Sequence, residues 1–116
     1  MDVYSLKSCD TCRKAVKWLA SENIKAEIYD IRTDGISENT ITAAISSLGW
    51  ETVLNRRSTS WRALADDQKH DMNGEKAIAL ISDNPTLMKR PLFHSGQEFV
   101  VGFDKIAQAN VKNLTS

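Results

Sequence analysis

The cysteines of the chain, Cys9 and Cys12, are separated by two residues in a polar segment near the start of the sequence. A thiolate attacks a disulfide or another electrophile, whereas the neutral thiol does not. At this spacing Cys12 can attack a mixed disulfide formed on Cys9, release the product and leave a Cys9–Cys12 disulfide. The pair predicts thiol–disulfide chemistry, with Cys9 as the nucleophile and Cys12 as the resolving thiol. The alternative is that both are structural thiols that pack as small hydrophobic side chains.

The surroundings of Cys9 favour the redox interpretation. A helical pattern of apolar residues begins at Thr11, so Cys9 lies where unpaired N–H groups and the positive end of the helix dipole stabilise a thiolate. Asp10 is the candidate cap of this helix, and Arg13 and Lys14 add positive charge one turn later. We therefore expect the pKa of Cys9 to be lowered, and Arg13 is a candidate anion-binding residue.

The elements that position the cysteines follow from hydrophobic periodicity. Strands are predicted at 3–6 and 26–31, on either side of a helix that begins at Thr11 and ends at Asn23. Near the other end, two β-rich runs flank the turn Ser95-Gly96 and form a hairpin, and a helix follows over 103–111. The pattern predicts an α/β fold, βαβ…ββα, with a mixed sheet covered on one face by the first and last helices.

A helical insertion is predicted at approximately 36–84, within a single domain of residues 1–116. It opens with an amphipathic helix that Ser37 can cap and Gly49 can end. Short helical pieces are predicted at 50–54 and 61–64, and a helix at 75–81 that stops near Asn84-Pro85.

Composition restricts the partners. Lys plus Arg is 15 and Asp plus Glu is 15, so no net charge attracts the chain to nucleic acid or to an anionic membrane. No apolar run reaches the roughly 20 residues that a membrane helix needs.

His70 and His94 lie far from the cysteines, so no metal site is predicted. Without a signal-like segment we expect a cytoplasmic protein, where thiols are kept reduced, and a monomer by default.

Several motifs together resemble the arsenate reductase (ArsC) family, with the YffB-type proteins and the Spx regulators as the nearest branches. The resemblance covers nearly the whole chain and implies a thioredoxin-like fold with an inserted helical subdomain. The matching segments are Tyr4-Ser5-Leu6-Lys7-Ser8-Cys9-Asp10-Thr11-Cys12-Arg13-Lys14-Ala15, Gly49-Trp50, Val53-Leu54-Asn55-Arg56-Arg57, Thr59-Ser60-Trp61-Arg62-Ala63-Leu64, Pro85-Thr86-Leu87-Met88-Lys89-Arg90-Pro91 and Val101-Gly102-Phe103.

The resemblance also implies roles for arginines and a proline. On the sequence alone, Arg56 and Arg57 are typical of a solvated basic loop. In arsenate reductases, arginines of the two corresponding segments bind the substrate oxyanion beside the cysteine. This implies that Arg90 is one of them and that Arg57, or alternatively Arg56, is the other. Thioredoxin-like folds place a cis-proline opposite the active cysteine, so the resemblance also implies a cis bond before Pro91.

One departure bears on the substrate. Arsenate reductases of this type carry a third arginine on the strand after the hairpin turn, but residues 96–101 contain none and include Glu98. The sequence therefore does not favour arsenate reduction.

Three functions remain as hypotheses. The first is a glutathione-dependent thiol reductase with no bound cofactor, for which glutathione is the co-substrate and a glutathionylated or oxidised thiol is the substrate. The second is a redox-switched regulator that binds the RNA polymerase α subunit, as Spx proteins do, because Spx proteins share the C-x-x-C pattern. The third is an arsenate reductase.

Overall fold

The computed structural model describes residues 1–115. The chain forms two compact units. The sheet unit comprises residues 1–35 together with the chain from Arg90 onward, and the helical unit comprises Ile36–Lys89. Among the described residues, no helix combines the length and the apolar character that crossing a membrane requires.

The sheet unit contains a mixed four-stranded sheet in the order β2-β1-β3-β4. Strand β1 pairs in parallel with β2 and antiparallel with β3, and β3 pairs antiparallel with β4. Two helices, α1 and α7, complete the unit. The bounds are β1 Asp2–Ser5, α1 Asp10–Ser21, β2 Glu27–Asp30, β3 Leu92–Ser95, β4 Glu98–Val101 and α7 Lys105–Thr115.

The core of the sheet unit lies between the sheet and these two helices. Because side chains alternate along a strand, Val3, Phe93 and Val100 project from one face of the sheet. They pack against residues at four-residue spacing, Ala15 and Leu19 of α1 and Ala107 and Val111 of α7. The expectation that the first and last helices cover one face is confirmed.

The helical unit contains five helices and a 3-10 turn at Pro85–Leu87. As predicted, Ser37 caps the first of them, accepting a hydrogen bond from the Thr40 N–H at 3.1 Å, and Gly49 follows its end with φ 87°. The bounds are α2 Glu38–Leu48, α3 Trp50–Val53, α4 Thr59–Arg62, α5 Asp66–Lys69 and α6 Gly74–Asp83.

Some predicted bounds were wrong, and local hydrogen bonds explain why. Helix α4 begins at Thr59 rather than Trp61, because Ser58 Oγ accepts from the Trp61 N–H at 3.1 Å. Helix α7 begins at Lys105 rather than Phe103, because the Asp104 carboxylate accepts from the Ala107 N–H. Helix α5 was not predicted at all, since its four residues carry no apolar periodicity.

Candidate active site

Cys9 lies at the N-terminus of α1, directly after the turn that follows β1. The Cys9 N–H donates to the Leu6 carbonyl at 2.9 Å, which closes this turn. The residue has extended backbone angles, φ −91° and ψ 117°, and it is the N-cap of the helix. Its Sγ accepts a hydrogen bond from the Cys12 N–H, with 3.4 Å between nitrogen and sulfur. The helix start therefore binds the thiol sulfur itself.

This arrangement corrects the predicted role of Asp10. Asp10 is the first residue of α1 rather than its cap, and its carboxylate forms an ion pair with Arg13 one turn later. Because Cys9 takes the extended backbone angles that a cap needs, Asp10 already lies inside the helix. Arg13 also donates to the Lys7 carbonyl at 3.5 Å, and both partners of the ion pair are largely exposed.

The pKa of Cys9 is lowered, as the sequence predicted. Burial alone would raise it, but hydrogen bonds from the Cys12 N–H and from the Cys12 thiol favour the charged sulfur and outweigh burial. The positive charge of Arg90 and a hydrogen bond from its side chain lower the pKa further. The thiolate form of Cys9 is therefore stabilised by three kinds of donor at once.

Cys12 has the opposite character. It is 1% exposed, and burial raises the pKa of its thiol to about 12, with the hydrogen bond to Cys9 and the nearby Cys9 charge acting in the same direction. Cys12 therefore keeps its proton and donates it toward Cys9. Both cysteines are free thiols in this structure.

Arg90 is the first residue of the second segment of the sheet unit, two residues before β3. Its positive charge acts on Cys9, in agreement with the position beside the cysteine that the resemblance implies, whereas Arg13 and Lys14 are the cations expected from the helix pattern. The peptide bond between Arg90 and Pro91 is cis, as the resemblance implied. Cys9, Cys12 and Arg90 are thus brought together within one unit.

Asp30 supports the turn that precedes Cys9, and it is not among the residues predicted from the sequence. Its carboxylate is 7% exposed and accepts hydrogen bonds from the N–H groups of Lys7 at 3.0 Å, Arg32 at 2.8 Å and Thr33 at 3.2 Å. These bonds, the Lys7 contact foremost, lower the pKa of Asp30. The signal was available: β1 and β2 are parallel, so an acid at the end of β2 lies beside the chain that leaves β1.

Arg56 and Arg57 lie in the helical unit, on the loop between α3 and α4. The guanidinium of Arg56 lies 5.4 Å from the ring centroid of Trp50, and the Arg57 N–H donates to the Asn55 side chain at 3.1 Å. Both side chains are exposed. With Lys89 they line a pocket of about 450 Å³ within this unit. Their assignment to substrate binding stays a prediction from the resemblance.

No cluster of three or more metal-ligating side chains occurs in the part of the chain that the structure describes. Cys9 itself offers a stabilised thiolate, with a protonated second thiol and a guanidinium beside it.

The chain is similar in sequence to two groups of relatives and similar in fold to a solved structure. A relative from Haemophilus influenzae, of uncharacterised activity, is 40% identical over 89% of this chain and 90% of its own. The global transcriptional regulator Spx of Streptococcus agalactiae is 29% identical over 84% of this chain and 72% of its own. A solved YffB protein is 34% identical with a TM-score of 0.89, covering 97% of each chain.

The fold class predicted from the sequence, thioredoxin-like α/β, is confirmed by the match to the YffB structure. The model of the ArsC family matches residues 4–110, a range that includes the cysteine pair, the helical unit and Arg90. Because this match spans most of its length, the chain belongs to the ArsC family.

Proposed function

We propose that this protein is a glutathione-dependent thiol reductase that uses Cys9 as its nucleophile. The observation that carries the proposal is the contact of Cys9 Sγ with the Cys12 N–H at the start of α1, beside the charge of Arg90. A site that stabilises a thiolate is suited to attack on an oxidised sulfur.

The proposed reaction begins on a mixed disulfide between glutathione and a substrate thiol. The Cys9 thiolate forms a bond to the glutathione sulfur, the disulfide bond breaks, and the substrate leaves as a thiolate that takes a proton from water. Cys9 then carries glutathione. No electrons are lost from the pair of reactants, because one disulfide is exchanged for another.

Cys12 is proposed to resolve this intermediate. Burial is the main cause of the raised pKa of Cys12, and it persists when Cys9 enters a disulfide. The hydrogen bond to the Cys9 thiolate and its negative charge are then lost, so the pKa of Cys12 falls and its thiolate can attack Cys9 Sγ. Glutathione leaves as a thiolate, and a Cys9–Cys12 disulfide forms. Two molecules of reduced glutathione then return both cysteines to thiols and become glutathione disulfide. A glutathione-rich cytoplasm would supply this reductant.

Arg90 is proposed to bind a carboxylate of glutathione, because a guanidinium matches a carboxylate with two parallel hydrogen bonds. Arg57, ahead of Arg56, is proposed as a second carboxylate ligand on the strength of the family resemblance. Substituting each of them by alanine separately tests this choice, since only the residue that binds should raise KM for glutathione mixed disulfides.

The decisive experiment is to trap the intermediate. In Cys12→Ser, a glutathionylated substrate supplied without free glutathione should leave one glutathione bound to Cys9, measured as added mass on the intact protein. Cys9→Ser is the matched control and should gain no mass. Addition to Cys12→Ser at no faster rate than to an unfolded thiol peptide would overturn the proposal.

A second candidate function is a redox-switched regulator. The supporting observation is the 29% identity with Spx over 84% of this chain. Under this proposal the protein would bind the RNA polymerase α subunit in a manner set by the Cys9–Cys12 disulfide. Binding of the purified α subunit that differs between the oxidised and the reduced protein would support it, and equal or absent binding would overturn it.

A further inference from the structure

An open groove of about 420 Å³ lies beside the cysteine pair in the sheet unit. Its apolar residues come from the β1–α1 connection, from α1 and from β2: Leu6, Cys12, Val16 and Ile28. We call it the apolar groove. Ile28 is 42% exposed, one of two large hydrophobic side chains exposed among residues 1–115, the other being Ile106.

The exposed side chain of Ile28 lies at an edge of the sheet, where an apolar residue is unusual. Strand β2 is the last strand at one end of the sheet order, so Ile28 lies on an edge strand. Edge strands usually carry charged residues that limit contact with other chains. An apolar side chain here, continuous with the apolar face of α1, favours a surface that binds a partner.

The rim of the apolar groove is cationic. Lys7, Arg13 and Lys17 line it and are exposed. Arg13 is paired with Asp10, but within the described chain Lys7 and Lys17 form no ion pair with a carboxylate. The positive charge of Lys7 also acts on the Asp30 carboxylate. An apolar surface bordered by exposed cations is complementary to an apolar side chain flanked by acidic residues.

The apolar groove also reaches the reactive centre. Cys12 lines it, and the N–H and the thiol of Cys12 both donate to Cys9. A chain bound along the groove would therefore contact Cys12, one helical turn from the nucleophile.

We propose that the apolar groove binds an acidic segment of a protein substrate, with one apolar side chain of that segment against Ile28 and Val16. Carboxylates of the segment contact Lys7 and Lys17. This inference rests on the proposed function for its chemistry, because the bound segment would carry the glutathionylated cysteine that Cys9 attacks. The reaction is the disulfide exchange described above, so no further oxidant or reductant is needed.

The test uses a fluorescein-labelled peptide that cannot react, with serine in place of cysteine, a leucine nearby and four flanking glutamates. A second peptide carries lysines in place of the glutamates. Binding to the full-length protein is measured by fluorescence anisotropy at low salt. The variants are Lys17→Glu and Ile28→Thr. The matched controls are Lys25→Glu, an exposed lysine outside the groove, and Ile106→Thr, the other exposed isoleucine.

We expect the acidic peptide to bind about tenfold more tightly than the basic one, as several surface charge contacts together allow. Lys17→Glu should remove most of this preference, and Ile28→Thr should weaken binding about threefold to tenfold through lost apolar contact. The two control variants should remain within about twofold of the unchanged protein, because surface substitutions away from a contact have small effects.

Equal binding of the two peptides, or equal effects of Lys17→Glu and Lys25→Glu, would overturn the inference. Tighter binding of the ten-carbon carboxylate decanoate than of the acidic peptide would also overturn it, in favour of a small amphiphile as the occupant. Because the peptide cannot react, the result is independent of whether the proposed function is right. That function is tested separately by the glutathione adduct on Cys9.

Discussion

The first helices of the two units both follow a cap residue with an extended backbone, but the capping atoms differ. In the helical unit, α2 begins at Ser37, whose oxygen accepts from the Thr40 N–H at 3.1 Å. In the sheet unit, α1 begins at Cys9, whose sulfur accepts from the Cys12 N–H at 3.4 Å. Helices α4 and α6 follow the first pattern, with Ser58 and Asn73 as caps.

The difference teaches what a helix start can be used for. An uncharged hydroxyl or amide oxygen accepts a hydrogen bond from an N–H at the helix start that has no partner within the helix. Such a cap contributes to the stability of the fold. A neutral thiol is a weak acceptor, whereas a thiolate is a strong one. The same N–H groups therefore stabilise the charged form of Cys9 rather than the helix alone. The caps Ser37, Ser58 and Asn73 contribute to the stability of the fold, whereas the cap Cys9 becomes a more acidic thiol.

The largest expected effect comes from giving α1 the kind of cap that α2 has. Cys9→Ser keeps a capping oxygen but removes the nucleophile, so reduction of glutathione mixed disulfides should fall by about a thousandfold or more. The thermal midpoint should stay the same or rise, because serine is a better neutral cap than a thiol. Turnover and thermal unfolding measured on one preparation test both parts. Activity of Cys9→Ser above a few per cent of that of the unchanged protein would mean that Cys9 is not the nucleophile, and the contrast between the two helix starts would fail.

A smaller loss of activity is expected from removing the charge beside Cys9. Arg90→Gln keeps hydrogen-bond donors but removes the cation, so the pKa of Cys9 should rise toward its ordinary value. The value of kcat/KM should fall by about ten- to a hundredfold, through fewer thiolates at neutral pH and weaker carboxylate binding. The rate of alkylation by iodoacetamide against pH gives the pKa directly. Arg90→Lys is the control and should retain a lowered pKa, since the positive charge remains.

An alkylation profile of Arg90→Gln that superimposes on that of the unchanged protein would contradict this account. The helix start alone would then be responsible for the acidity of Cys9.

The hydrogen bond from the Lys7 N–H to the Asp30 carboxylate sharpens the comparison, because it joins the chain before α1 to the end of β2. Asp30→Asn exchanges an acceptor oxygen for a donor near three N–H groups, so it should destabilise the fold by about 1–3 kcal/mol. Denaturant unfolding measures this. Asp34→Asn is the control, because the Asp34 carboxylate accepts only from the Asp30 N–H among the contacts described.

This prediction has a pH dependence with a defined sign. The folded pKa of Asp30 lies below its unfolded value near 3.9, so its stabilising effect is complete above that value and is lost as the pH falls through the folded pKa. Acid should therefore destabilise Asp30→Asn less than it destabilises the unchanged protein. Parallel acid-unfolding curves for the two would contradict the role given to this carboxylate.

Features determined by nearby residues were predictable from the sequence, and those determined by distant ones were not. Ser37 and Gly49 bound α2 as expected, because a cap and a left-handed glycine act within one turn. Cys9 and Asp10 are neighbours, and only the backbone angles decide which of them is the cap. The Asp30–Lys7 bond joins residues 23 positions apart, so it required the strand pairing.

The smallest expected effect comes from Ser37, the cap of α2. It tests whether this cap affects only the stability of the fold and not the acidity of Cys9. Ser37→Ala removes the hydrogen bond to the Thr40 N–H and should cost about 1 kcal/mol in the free energy of unfolding. Ser37→Asp, which restores a capping oxygen and adds a charge favoured at a helix N-terminus, should recover most of it. In both variants the alkylation profile of Cys9 should stay unchanged, because the Cys9 thiolate is stabilised by Cys12 and Arg90 in the sheet unit. A shift in that profile with Ser37→Ala would mean that the two helix starts are coupled, and the separation of stability from acidity would no longer hold.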